Sequence, residues 1–165
     1  MLPIAAIVWA GILAAGCAIL YATADRLPAR VASHFNFEGF ANGYMLREDY
    51  LVLMLLLTIA VPVAIVALNF LLPRVAPRLI RIPARDYWMV AERRAATSAS
   101  LTASGFVTAS MVTGFMIGVH LLVTEANSRV PPRLETGAMW ILIAALALGA
   151  LTWQLLQRRR FRPAR

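Results

Sequence analysis

Four long apolar stretches separated by three polar segments set the pattern of this chain, near Leu2–Ala24, Tyr50–Leu72, Thr97–Val123 and Thr136–Leu156. Each is long enough to cross roughly 30 Å of bilayer hydrocarbon, which takes about 20 helical residues. Backbone N–H and C=O groups find no partner in lipid and must bond within their own segment, so each stretch is predicted to be a helix. The first, second and fourth carry no charged side chain in their cores. The expected fold class is therefore all-α: one integral membrane four-helix bundle over 1–157, with a basic tail at 158–165.

The first polar segment, Leu27–Asp49, departs most from this background. It holds a histidine, two asparagines, two glycines and four aromatic rings. Val31–Phe37 favours an extended strand, with Val31, Ser33, Phe35 and Phe37 on one face and Ala32, His34 and Asn36 on the other. Glu38-Gly39 and Asn42-Gly43 are turn pairs. A short ordered cap is expected here, hairpin-like, with Phe35, Phe37, Phe40 and Tyr44 resting on the membrane or bundle or forming a recognition face.

Helix boundaries carry their own marks. Pro28 stops the first helix from continuing far, and Glu48 and Asp49 suit the positive end of the second helix dipole. Pro62 is expected to kink that helix or free a carbonyl. Pro73, Pro77 and Pro83 punctuate the next loop, and Tyr87-Trp88 is the pair expected at a membrane interface. The third helix is rich in small and hydroxyl residues. Ser100, Ser104 and Thr108 recur every fourth position, as do Ser110, Gly114 and Gly118. That spacing lets helices approach closely in lipid, so this helix is expected at the centre of the bundle, with a polar conduction path as the alternative.

Composition agrees with a bilayer solvent: 61% of the 165 residues are hydrophobic, 15% are charged, and the mean hydropathy is +0.71. The net charge of +8 comes from arginine alone. Arg74, Arg78, Arg81, Arg85, Arg93, Arg94, Arg158, Arg159, Arg160, Arg162 and Arg165 fall on one side of a four-span topology, against Asp86 and Glu92. Arg26, Arg30, Arg47, Arg129 and Arg133 fall on the other, diluted by six acids. The positive-inside rule then places both termini in the cytoplasm and the Leu27–Asp49 loop outside. The arginines read as an orientation device that also attracts anionic headgroups, not as a nucleic-acid site. Ala14-Ala15-Gly16-Cys17 faintly resembles a lipoprotein cleavage box, but a retained first helix is the expectation. Cys17 is the only cysteine, so no intramolecular disulfide can form.

Candidate chemistry is sparse. His34 and His120 are the only histidines, both on the outer side, with Glu125 and Asn127 following His120. His34, His120 and Glu125 are the candidate set for a divalent metal or a proton shuttle; the alternative is that each imidazole is held structurally. No HExxH, CxxC, GxSxG, Walker motif or mid-membrane acid is present. No cofactor is expected and no catalytic residue is assigned.

Leu27-Pro28, Val31, His34-Phe35-Asn36, Gly39 and Asn42-Gly43-Tyr44 together resemble the loop signature of a bacterial membrane family, the domain of unknown function 1648. The same module opens the immunity and signalling proteins that protect cells against a sporulation-delaying-protein toxin. A second stretch also resembles the family: Ile82–Trp88, Glu92–Thr97, His120 and Ala126-Asn127. Asn42 stands where many relatives have aspartate, and the longer immunity members carry helices beyond the four expected here. The resemblance implies a small integral membrane protein without established catalysis.

The expected function is a non-enzymatic immunity, sensing or binding module of the bacterial inner membrane. Its exported face would recognise a peptide or toxin through His34, Asn36, Gly39, Asn42, Gly43, His120, Glu125 and Asn127. Arg85, Tyr87, Trp88, Glu92 and Arg93 are the candidate contacts for a cytoplasmic regulator. A small transporter or permease component is the alternative, and a metal-dependent membrane enzyme the second. The partners considered are the lipid bilayer, the exported ligand, the regulator and further copies of the chain.

Overall fold

A computed structural model describes residues 2–162; the end of the basic tail, Arg165 included, lies outside the described residues. Helix α1 (Leu2–Thr23) leads through a 3-10 turn at Ala24–Arg26 into strands β1 (Arg30–Phe35) and β2 (Ala41–Leu46). Helix α2 (Arg47–Val75) follows, then a 3-10 turn at Pro77–Leu79, the single turn α3 (Arg85–Trp88), and helices α4 (Ala91–Asn127) and α5 (Thr136–Arg160). The helices α1, α2, α4 and α5 are long and apolar enough to cross a bilayer, as in a multi-pass membrane protein.

The observed helices match the four apolar stretches in place; α1 stops at Thr23, while α2, α4 and α5 run further. α2 starts at Arg47 and α4 extends to Ala91 and Asn127. Charged and polar turns are stable beyond the hydrocarbon because water or neighbouring loops satisfy them, so hydropathy alone underestimates these ends. Pro62 and Pro73 both lie within the continuous α2. Helix α4 is the hub, packing on α1, α2 and α5, whereas α5 rests chiefly on α4. Small residues explain two of those approaches. A Cβ on Gly105 would meet Asn69 Cβ at 2.7 Å, and one on Gly118 would meet Leu142 Cδ1 at 2.8 Å. Gly114 faces open space and supports no such approach.

The cap is a true two-stranded antiparallel sheet, adding a β element to the all-α expectation. Its register runs Arg30↔Leu46, Val31↔Met45, Ala32↔Tyr44, His34↔Gly43 and Phe35↔Ala41, so Ser33 bulges on one strand and Asn42 on the other. Ahead of the bulges, the consecutive residues Val31 and Ala32 pair in regular register and are both fully buried, so both sides of the strand are covered at that point. Val31 joins Leu20, Leu27, Tyr50, Met54 and Val123 in a core cluster beneath the hairpin. The main buried apolar cluster thus sits at the hairpin end, while much of the helices' length faces outward.

Candidate binding surface at the hairpin end

Asn36 closes the hairpin. Its N–H donates to Phe40 O at 2.9 Å, and its side-chain Oδ1 accepts from Phe40 N–H at 2.8 Å. Gly39 holds φ +85°, a left-handed conformation that glycine adopts without steric cost. Its carbonyl accepts from Leu134 N–H at 2.8 Å, tying the hairpin tip to the loop between α4 and α5. Asn42-Gly43 lies within β2 and does not form the turn. Gly43 packs closely against His34 instead: a Cβ there would come 3.0 Å from His34 Cβ.

Beneath the hairpin, Asn127 acts as a surrogate strand. Its Oδ1 accepts from Ala32 N–H at 2.8 Å, and its Nδ2 donates to Ala32 O at 3.0 Å and to Val123 O at 2.9 Å. Both backbone groups of a buried residue are thereby satisfied from the end of α4.

His120 lies one helical stretch earlier on α4 and is fully buried. Thr23 Oγ1 sits 2.7 Å from its Nε2 and Tyr50 OH 3.2 Å from its Nδ1. A single neutral tautomer satisfies the whole set: Tyr50 O–H donates to Nδ1, Nε2–H donates to Thr23 Oγ1, and Thr23 O–H donates to Ile19 O at 2.7 Å. One imidazole therefore joins α1, α2 and α4 directly under the cap.

The eight candidate residues do not converge on one point. His34 is exposed, and its ring hydrogen-bonds to its neighbour Ser33, with Oγ 3.1 Å from Nδ1. Glu125 is exposed and pairs with Arg129 at 3.7 Å. The proposed metal set of His34, His120 and Glu125 is thus dispersed between hairpin surface, buried core and helix surface. No group of three metal-ligating side chains occurs among the described residues.

Asn36 and Asn42 do share a site. They line an open groove of about 430 Å³ with Phe35, Phe37, Leu134, Thr136, Met139, Trp140 and Ile143, where the hairpin meets the start of α5. Phe37 is 87% exposed and Trp140 58%, so large apolar surface borders the groove without cover. Leu134 and Trp140 were not foreseen, because what joins their segment to the hairpin, the Phe40–Arg133 β-bridge and the Leu134–Gly39 bond, links residues remote in sequence. Thr23 and Tyr50 had a readable signal: both are polar groups at the hairpin-side ends of their apolar runs, within hydrogen-bond reach of His120.

At the opposite, basic end, the candidate cytoplasmic residues are engaged within the chain. Trp88 Nε1–H donates to Phe161 O at 2.7 Å, and its ring meets Phe161 edge-on at 5.7 Å. Arg85 donates to Asp86 and to Arg78 O. Arg93 stacks over Tyr87 at 4.1 Å. Glu92 remains exposed.

Residues 11–59 match a family model described as Domain of unknown function (DUF1648). This span covers the second half of α1, the hairpin and the first half of α2. The resemblance carried by the loop residues is shown for this segment; the stretch from 82 to 127 lies outside the match. No curated protein and no solved structure matches the chain.

Proposed function

We propose that this is a non-enzymatic binding module of the bacterial cytoplasmic membrane whose hairpin end is exported and receives a peptide or peptide toxin. The observation that carries the reading is the groove between hairpin and α5. It has apolar and aromatic walls, asparagines at its rim, and a rigid mount in Asn127, His120 and the Gly39–Leu134 bond. Concave apolar sites with a few placed polar groups are the usual form of a ligand site. The arginine distribution supports an outward-facing hairpin, with both termini in the cytoplasm.

The test combines protection with direct binding. Cells with and without the protein are challenged with a panel of purified membrane-active peptide toxins. Cys17→Ser/Asn42→Cys protein carrying a single fluorophore is titrated with the same peptides in vesicles. Protection from one toxin, lost in Trp140→Ala at equal membrane abundance and matched by a saturable fluorescence change, is the expected result. Equal killing by every toxin with an unchanged label overturns the reading.

The transport alternative is less well supported. Thr102, Thr108 and Ser110 donate back to Ser98 O, Ser104 O and Phe106 O of their own helix. Thr113 accepts from Trp9. Hydroxyls so engaged are poor lining for a water path. Cysteines at Thr108 and Thr113 are expected to resist a polar maleimide; rapid labelling of both restores the transport reading.

A further inference from the structure

Helices α1 and α5 flank α4 at the basic end and leave a cleft between them of about 350 Å³. Its floor is the small-residue face of α4, including Ser100, Ala103 and Val107; Ile4 and Val8 form one wall and Trp153 the other. Trp153 is fixed by its Nε1–H, which donates to Ser104 Oγ at 2.9 Å. The cleft is apolar along most of its length and polar at one foot, where Gln157 and Arg160 line it. At that foot, Ser100 Oγ and Gln157 Oε1 are buried without a hydrogen-bond partner. Two such orphaned atoms in one cleft are costly unless a bound molecule satisfies them.

A second cleft offers a comparison. It is larger, about 710 Å³, and is lined by α1, α2 and α4, with Trp9, Arg74 and Thr102 as its polar side chains. All three have partners: Thr113 for Trp9, Phe70 O for Arg74 and Ser98 O for Thr102. That cleft asks only for hydrocarbon. The α1–α4–α5 cleft asks for hydrocarbon and a hydrogen-bond donor together.

We propose that the α1–α4–α5 cleft holds one acyl chain of a phosphatidylglycerol molecule as a resident lipid. The headgroup lies at Arg160, and its two glycerol hydroxyls donate to Gln157 Oε1 and Ser100 Oγ. Gln157 and Arg160 are three residues apart and share one face of α5. Arg158, Arg159 and Arg162 surround the same end. An anionic phosphate suits this field, and a hydroxyl supplies the missing donor. An ammonium headgroup supplies a donor too, but places a cation among arginines. The inference rests on the four helices lying in a bilayer and is independent of what the hairpin end recognises.

Full-length protein is reconstituted in vesicles of equal parts phosphatidylglycerol and phosphatidylethanolamine, extracted gently, and weighed by native mass spectrometry. Wild type is expected to carry one phosphatidylglycerol in preference to phosphatidylethanolamine. Ser100→Ala/Gln157→Leu is expected to lower the lipid-bound fraction about tenfold, in keeping with lost hydrogen bonds in a low-dielectric site. The same variant, freed of lipid, melts no lower than wild type because the orphaned atoms are gone. Arg160→Gln is expected to remove the preference for the anionic lipid while leaving an adduct. Equal retention of both lipids by wild type, or an unchanged phosphatidylglycerol adduct in the double variant, overturns the proposal. A lower melting point of the lipid-free double variant overturns it as well, since the two groups would then stabilise the fold without lipid.

Discussion

Asn127 and His120 hold the hairpin to the helices by different chemistry, and their substitutions are expected to differ accordingly. Asn127→Ala strands both the N–H and the C=O of buried Ala32 and should cost about 2–3 kcal/mol in a reversible unfolding measurement. Asn127→Asp should recover little, because a carboxylate accepts from Ala32 N–H but repels Ala32 O. An aspartate variant as stable as wild type contradicts the paired-bond geometry. At His120, Tyr50→Phe removes one donor from Nδ1 and should cost about 1 kcal/mol, a typical net hydrogen bond. The exposed His34 has no comparable role, and His34→Ala should stay within about 0.5 kcal/mol of wild type. The two histidines are indistinguishable in type along the chain. Only burial separates them, and burial arises from Thr23 and Tyr50, which lie far from His120 in sequence.

The hairpin is the element in which local and long-range forces meet. Its extended segments and the turn tendency of Glu38-Gly39 were legible, since alternation and a left-handed glycine are local properties. The paired bulges at Ser33 and Asn42 were not, because register depends on the partner strand, nor was the burial of both Val31 and Ala32, which different neighbours cover, the apolar cluster and Asn127. Gly39→Ala combines a strained φ with a collision against Leu134 O. It should lower the melting temperature and release the tip, raising hydrogen exchange at Leu134 N–H; protection as in wild type would show that the tip does not depend on that contact. In α4, spacing alone suggested two four-spaced series of small residues, Ser100–Ser104–Thr108 and Ser110–Gly114–Gly118, open to close helix approach. The structure divides the small residues differently: Gly105 and Gly118 admit neighbouring helices, while Ser100 and Ala103 floor an open cleft. Spacing fixes which residues share a face but not whether a helix or lipid covers it.

Across the whole molecule, α5 is the most weakly embedded span. None of its apolar window is buried, and at the basic end it is held by Trp153 on Ser104 and by Phe161 under Trp88. Phe161→Ala should let this end move away from α4 while the hairpin end, tied through Leu134 and Gly39, stays in place. Spin-label distances between α4 and α5 measured at both ends test this; equal widening at both ends, or none at either, contradicts a local latch. Trp88, marked in the sequence as an interfacial ring, thus serves first as a receptor for the chain's own C-terminal segment.

Hydropathy, charge and proline by themselves determined the number of long apolar helices, the separation of a basic end from a mixed-charge end, and the polar segment that differs from the rest. These properties follow from how single residues partition between water and lipid, and they need no knowledge of neighbours. Tertiary structure alone decided that Asn127 completes a strand, that His120 bonds to Thr23 and Tyr50, and that Asn36 and Asn42 share a groove with Trp140. It also decided that Ser100 and Gln157 face a common cleft without partners. Each of these is a hydrogen bond, or the lack of one, between groups remote in sequence, and the packing of helices onto α4 is what brings them within reach.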